Sequence, residues 1–151
     1  MTEIKKNVFY SDTLVRFSHC DPAGIIFYPH YFVMFNGLVE DWFNHALEIN
    51  YAGFITTRQL GLPMVNVQCD FIVPSKIGEI ITLTLEVKRI GNSSLTLSVG
   101  AVFDNTVRVK AQLTLCVFSF ETRRAVSIPD DLRQRLTDFQ QGKLDHPWRQ
   151  A

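Results

Sequence analysis

The chain has 151 residues, with 15 Lys+Arg against 15 Asp+Glu, 46% hydrophobic and 20% charged residues. That is the length and composition of one globular domain, which excludes wholesale disorder, and the zero formal charge lacks the basic excess of a general nucleic-acid binder. No apolar run approaches the roughly 18 residues of a membrane span; MTEIKKNVFY has no apolar segment after its lysines; and Cys20, Cys69 and Cys116, scattered without a CxxC pair, fit a reduced, cytoplasmic protein.

In chain order, residues 8–18 set β-branched and aromatic residues among polar ones, a strand pattern. The turn-rich stretch His19-Cys20-Asp21-Pro22-Ala23-Gly24 follows. Pro29 suits the first position of a helix, where its missing N–H costs nothing, and the helical pattern runs to about residue 49. Gly37, Glu40, Asp41, Asn44 and Glu48 fall on one stripe, while apolar residues from Tyr31 to Ala46 cover most of the rest. A helix about 30 Å long and apolar over so wide an arc must be wrapped by something. Residues 62–73, 77–90, 94–103 and 107–120 read as the strands that wrap it. Leu83, Leu85 and Val87 alternate with Thr82, Thr84 and Glu86, and Leu95, Leu97 and Val99 with Ser94, Thr96 and Ser98. Gly91-Asn92 and Asp104-Asn105 read as hairpin turns, so the last three strands form an antiparallel meander. A polar helix starts at Asp130, after Pro129. With no linker, repeat or low-complexity segment, residues 1–151 form a single α+β domain: one long helix packed on a mostly antiparallel sheet.

The chemistry concentrates between the first strand and the helix. Asp21 precedes a Pro-x-Gly turn, and the turn leads into a helix N-terminus at Tyr28. Unpaired N–H groups there carry about half a positive charge and stabilise an anion or a developing oxyanion. A carboxylate seven residues upstream adds a nucleophile or base, the minimum kit for acyl transfer. The same Asp-Pro-x-Gly is also an ordinary turn with Asp bonding its own backbone, and local sequence leaves both readings open. A nucleophilic Cys20 between His19 and Asp21 is rejected, because adjacent side chains on an extended chain point to opposite faces. His30, His45 and His146 are too dispersed for a metal motif, and there is no GxGxxG or GxxxxGK[ST]. Glu40 is a solvated or interface-facing residue, with a second catalytic carboxylate as the minority reading. Lys88-Arg89, beside Gly91 to Ser94, could hold phosphates or simply keep a hairpin end soluble.

The stretch from Asp21 to Pro29 (DPAGIIFYP), followed by Tyr31, resembles the Asp-Pro-Ala-Gly-Ile-Val-Trp-Tyr-Pro signature of hotdog-fold acyl-CoA thioesterases, specifically the 4-hydroxybenzoyl-CoA thioesterase family of the Pseudomonas type. Gly61-Leu62-Pro63 and Phe71-x-x-Pro74-x-x-x-Gly78-Glu79 match it as fold motifs, and the similarity covers roughly residues 8–120. The resemblance implies a hotdog fold, with a long central helix wrapped by a five-stranded sheet. It also implies subunits paired edge to edge, as a homodimer at least and a homotetramer by expectation, with sites at the dimer interface. By the same resemblance Asp21 is the catalytic carboxylate, as nucleophile or general base. The Tyr28 N–H polarises the thioester carbonyl, and Lys88, Arg89 and Ser93 bind the CoA phosphates. The substrate is then an acyl-CoA, with aromatic acyl groups favoured, hydrolysed without metal or bound cofactor. The acyl group is expected near Phe27, Tyr28 and residues 62–67. The chain departs from the family in carrying Phe27 for its Trp and Lys88-Arg89-Ile90 for a run of three cations. Two alternatives stay open: a hotdog hydratase, which would want a His19/Asp21 pair, and a non-catalytic acyl-CoA-binding module.

Overall fold

The computed structural model describes residues 3–150. Its elements, in order, are β1 (Phe9–Leu14), α1 (Pro29–Trp42), α2 (Tyr51–Thr56), β2 (Leu60–Gly61), β3 (Met64–Phe71), β4 (Ile80–Ile90), β5 (Ser94–Phe103), β6 (Thr106–Cys116), β7 (Phe118–Ser119), β8 (Arg124–Ala125), α3 (Asp130–Gln140) and β9 (Arg149–Gln150). The main sheet has the order β3-β6-β5-β4-β1-β9, and a small second sheet pairs β2, β7 and β8. The meander is present, and β5 turns into β6 through Asp104-Asn105, with φ of 49° and 59°. Two consecutive left-handed residues make the twist-matched hairpin turn that Asp-Asn favours.

The period-two residues do what their pattern requires. Ile81, Leu83, Leu85 and Val87 of β4 are buried, while the threonines between them are half-buried on the other face. Tyr31, Met34, Phe35, Leu38 and Trp42 of α1 fill the concave side of the sheet. Burying a Leu- or Phe-sized side chain contributes about 1.5–3 kcal/mol, so this helix–sheet interface is the main source of stability. One helix wrapped by a curved antiparallel sheet is the hotdog fold.

Three features differ from the expectation. The sheet has a sixth strand: β9, two residues from the C-terminal tail, pairs parallel with β1, opposite Tyr10 and Ser11. It is fixed by charge rather than by apolar pattern, since Arg149 bonds Asp12 Oδ2 at 2.7 Å and Thr82 Oγ1 at 2.7 Å. Strand β1 stops at Leu14, and residues 17–19 form a 3₁₀ turn. The long helix is α-helical only to Trp42; Phe43–Leu47 widen into a π turn and Glu48, at φ 56°, reverses the chain. Arg135 of α3 bonds the Leu47 and Ala46 carbonyls, which the helix end leaves open. Asn50 then caps α2, its side chain accepting the Gly53 N–H at 2.7 Å. Among the described residues no helix is long and apolar enough to cross a membrane.

Candidate active site

Residues 19–27 fold back on themselves. Asp21 N–H donates to Ile25 O, Phe27 N–H to His19 O, and Cys20 pairs with Ile26 as an isolated bridge. At the tip, Gly24 N–H closes on Asp21 O at 2.9 Å, with Gly24 at φ +76°, a conformation that strains any side-chain-bearing residue. The Asp21 carboxylate is partly exposed. Its Oδ1 accepts the Ala23 N–H at 2.9 Å, and no group among the described residues engages Oδ2. The turn-forming role and a chemical role are therefore compatible in one side chain.

Tyr28 caps α1 with Pro29 at the first helical position. The Tyr28 N–H has no acceptor among the described residues and stands at the positive end of the helix. Beside it lies a cleft of about 150 Å³ walled by Ile25, Ile26, Tyr28, Tyr31, Phe71 and Val73. Tyr28 and Tyr31 both set their rings about Phe71, each at 6.0 Å. Asp21 and Tyr28 are thus brought to one loop, with an aromatic slot next to the donor. Phe27 contributes to the exposed surface rather than to this slot; its ring lies 5.4 Å from that of Tyr28.

The slot uses the Phe71 end of β3, not residues 62–67. Because β3 runs against the direction of α1, Leu62 and Met64 instead line a separate groove of about 620 Å³ with Val33, Gly37 and Glu40. Glu40 lies twelve residues along the helix from Tyr28, about 18 Å away, and so takes no part in this protomer's Asp21 loop. Lys88, Arg89 and Ser93 lie at the far end of β4. Ile80, beside Leu14 at the entrance to the Asp21 loop, and Lys88 are separated by about 27 Å of strand. Lys88 pairs with Glu86 at 2.8 Å, and the Ser93 carbonyl accepts the Val117 N–H. One protomer does not bring these residues to Asp21.

His19 does not bond Asp21. Its Nδ1 accepts the Arg16 N–H at 3.0 Å, and burial, with His30 and Arg16 nearby, pushes its pKa below the usual histidine value. The paired His and Asp of a hydratase are not formed. Cys20 Sγ donates to Arg16 O and packs on the core, away from a nucleophile's position. No group of three or more metal-ligating side chains exists among the described residues.

A second cluster was not anticipated. Arg108 of β6, 8% exposed, forks onto Glu79 and also bonds the 74–75 segment, and Tyr31 donates to Ser75 Oγ at 3.1 Å. The Pro74-to-Glu79 motif was legible only as a fold signature. Nothing in the sequence marks Arg108, which a strict alternation along β6 assigns to the solvent face.

The fold and this loop define a class, a hotdog domain with a carboxylate turn leading into an unpaired helix N-terminus. The chain belongs to the thioesterase-like superfamily, whose family model matches residues 15–136. The sequence is 25% identical over 131 residues to a 1,4-dihydroxy-2-naphthoyl-CoA hydrolase of Nostoc punctiforme, covering 85% of this chain and 86% of the relative. Among solved structures it is similar to Slr0204, a 1,4-dihydroxy-2-naphthoyl-CoA thioesterase from Synechocystis, with TM-score 0.79, 18% identity, and 93% and 99% of the two chains covered. It is also similar to the gentisyl-coenzyme A thioesterase BH1999, with TM-score 0.76, 20% identity, and 85% and 98% covered. The last two show the fold.

Proposed function

We propose that the protein hydrolyses an acyl-CoA thioester to the carboxylic acid and free CoA at the Asp21–Tyr28 loop. The observation that carries this reading is the pairing, in one hydrogen-bonded loop, of a carboxylate oxygen and a helix-terminal N–H that have no partner among the described residues, beside an aromatic slot. The thioester oxygen sits on the Tyr28 N–H and becomes an oxyanion as the carbonyl carbon is attacked; such a donor is typically worth about 3–4 kcal/mol. In one route Asp21 takes a proton from the attacking water and returns it to the departing thiolate. In the other Asp21 attacks directly, expels CoA as the thiolate, and the resulting anhydride is opened by water.

The relatives' names carry aromatic acyl groups, and the slot supports an aromatic acyl group here. Its volume, about 150 Å³, is that of an apolar cavity able to hold benzene. A single-ring acyl group of the 4-hydroxybenzoyl or gentisyl kind fits it better than a bicyclic naphthoyl group. The CoA phosphates would be held by Lys88, Arg89 and Ser93 of a partner subunit, since those of the same chain stand at the far end of the sheet. The test is thiol release, followed with a thiol reagent, across single-ring, bicyclic and aliphatic acyl-CoAs. Turnover with single-ring substrates preferred is expected. Tight binding without thiol release would make the protein a binding module, and loss of the acyl double bond with the thioester intact would make it a hydratase.

A further inference from the structure

The loop that carries Asp21 does not rest on the apolar core alone. Its Gly24–Ile26 limb is bonded to residues 75–77: Ile26 N–H donates to Ser75 O at 2.9 Å and Ile77 N–H to Gly24 O at 2.9 Å. Residues 72–79 are irregular chain linking β3 to β4, and such a segment holds its shape only as well as its bonds do. One side chain supplies four of them. Arg108 Nη1 reaches Pro74 O at 2.8 Å, Ser75 Oγ at 3.3 Å and Glu79 Oε1 at 3.1 Å, while Nη2 reaches Glu79 Oε2 at 3.1 Å. Its main-chain carbonyl accepts from Ile72 and Val73. The guanidinium also stacks 4.7 Å from the Phe103 ring centre. Glu79 Oε1 in turn accepts the Lys76 N–H, closing the turn from inside. Ser75 is 1% exposed and takes the Tyr31 hydroxyl, so the cluster reaches the wall of the aromatic slot.

Arg108 is buried and Glu79 half-buried, and an ion pair drawn out of water is a poor way to gain stability, because desolvation offsets much of the attraction. What a forked arginine does well is hold planar partners at fixed angles. We propose that Arg108 is a positioning residue for hydrolysis: by clamping Glu79, Pro74 and Ser75 it fixes the segment against which Gly24–Ile26 is bonded, and thereby the separation between the Asp21 carboxylate and the Tyr28 N–H. This rests on the reading of Asp21 and Tyr28 given above. A reacting pair displaced by an ångström loses about a hundredfold in rate, so a small relaxation of the clamp is enough to matter.

The experiment compares Arg108→Lys, which keeps the charge and loses the fork, with Glu79→Gln, which keeps the shape and sets an amide N–H₂ against a guanidinium donor. For each, kcat, KM and melting temperature are measured on the same preparation with the best acyl-CoA, beside Asp21→Asn. Both clamp variants are expected to lose about 10- to 100-fold in kcat with KM within about twofold, and circular dichroism is expected to show them folded at the assay temperature. A lowered melting temperature with wild-type kcat in either folded variant overturns the proposal, because that is the signature of a purely structural clamp. If Arg108→Lys does not fold, Glu79→Gln and Tyr31→Phe, which removes only the hydroxyl on Ser75, decide the matter by the same criterion. The two readings fail separately. Wild-type turnover in Asp21→Asn removes the mechanism itself, whereas an inactive Asp21→Asn beside fully active clamp variants removes only the role of Arg108.

Discussion

The Asp21 carboxylate is engaged at one oxygen, with Oδ1 holding the Ala23 N–H and Oδ2 left without a partner among the described residues. Asn at this position still offers an oxygen to Ala23, so Asp21→Asn preserves the turn while removing the proposed base or nucleophile. We expect kcat to fall by about 10²–10⁴ with little change in melting temperature or KM; wild-type kcat with a lower melting temperature would leave Asp21 a turn residue. Glu79 makes a different prediction, about pH. The Arg108 fork outweighs burial and holds its carboxyl below the usual glutamate range, helped by the Lys76 N–H. A depressed folded-state pKa stabilises the protein above the unfolded value of about 4.3, and the contribution disappears as pH falls through the folded value. Wild-type melting temperature should therefore drop more steeply than that of Glu79→Gln as pH falls from about 5 toward 3. Parallel curves for the two proteins would show that the fork adds nothing to acid stability.

At the scale of elements, α3 is held to the sheet by packing and by side chains, with Arg133 donating to the Gly91 and Asn92 carbonyls. It buries Leu132, Leu136 and Phe139, and the Phe139 ring lies 5.3 Å from that of Trp42 at the end of α1. Phe139→Ala should cost about 3–5 kcal/mol in urea unfolding, because the cavity opens between rigid neighbours; a loss under about 1 kcal/mol would mean that α3 peels away without harming the core. The parts of this architecture visible in the sequence are those specified locally. Pro29 marked the start of α1, alternation marked β4 and β5, Asp104-Asn105 marked a hairpin, and the DPAG turn marked the candidate site. The parts that escaped are set by distant partners. The π turn after Trp42 is held by Arg135, nearly ninety residues away, and β9 is held by Arg149 on Asp12. Arg108 was hidden by a register shift between Ala101 and Val102, opposite the start of β6, which buries Arg108 and Val109 together and breaks the alternation that assigns one of them to solvent. The aromatic slot was half legible: Tyr28 and Tyr31 could be placed by the helix, but Phe71 reaches them only because β3 runs back along α1.

Among the described residues the sheet is open along β3, which pairs only with β6 and exposes Val65, Val67 and Phe71. An apolar, unpaired edge invites a second strand, and a two-fold axis beside β3 would join two sheets into one. Light scattering should accordingly show at least twice the 17.3 kDa chain mass at micromolar concentration, and a monomer there would exclude a shared site. The registers say what such pairing does. The Met64 end of β3 is level with Leu115, Leu95 and Ile90, and the Phe71 end with Val109, Ala101 and Leu83. Antiparallel pairing of two β3 edges sets the Phe71 end of one protomer against the Met64 end of the other. The turn bearing Lys88 and Arg89 of the partner subunit then lies on the Asp21 side, about 19 Å off across four strand spacings. If those cations hold CoA phosphates, replacing both with Ala raises KM more than it lowers kcat, and the effect shrinks with salt. Mixing decides whether they act across the interface. In a heterodimer of Asp21→Asn with the Lys88→Ala/Arg89→Ala chain, one site carries both defects and the other carries none. Co-refolded equal mixtures should recover about a quarter of the wild-type rate at low substrate, although each parent alone is nearly inactive there. Recovery no greater than the average of the two parents would put the phosphate-binding cations in the same chain as their Asp21, or away from the CoA altogether.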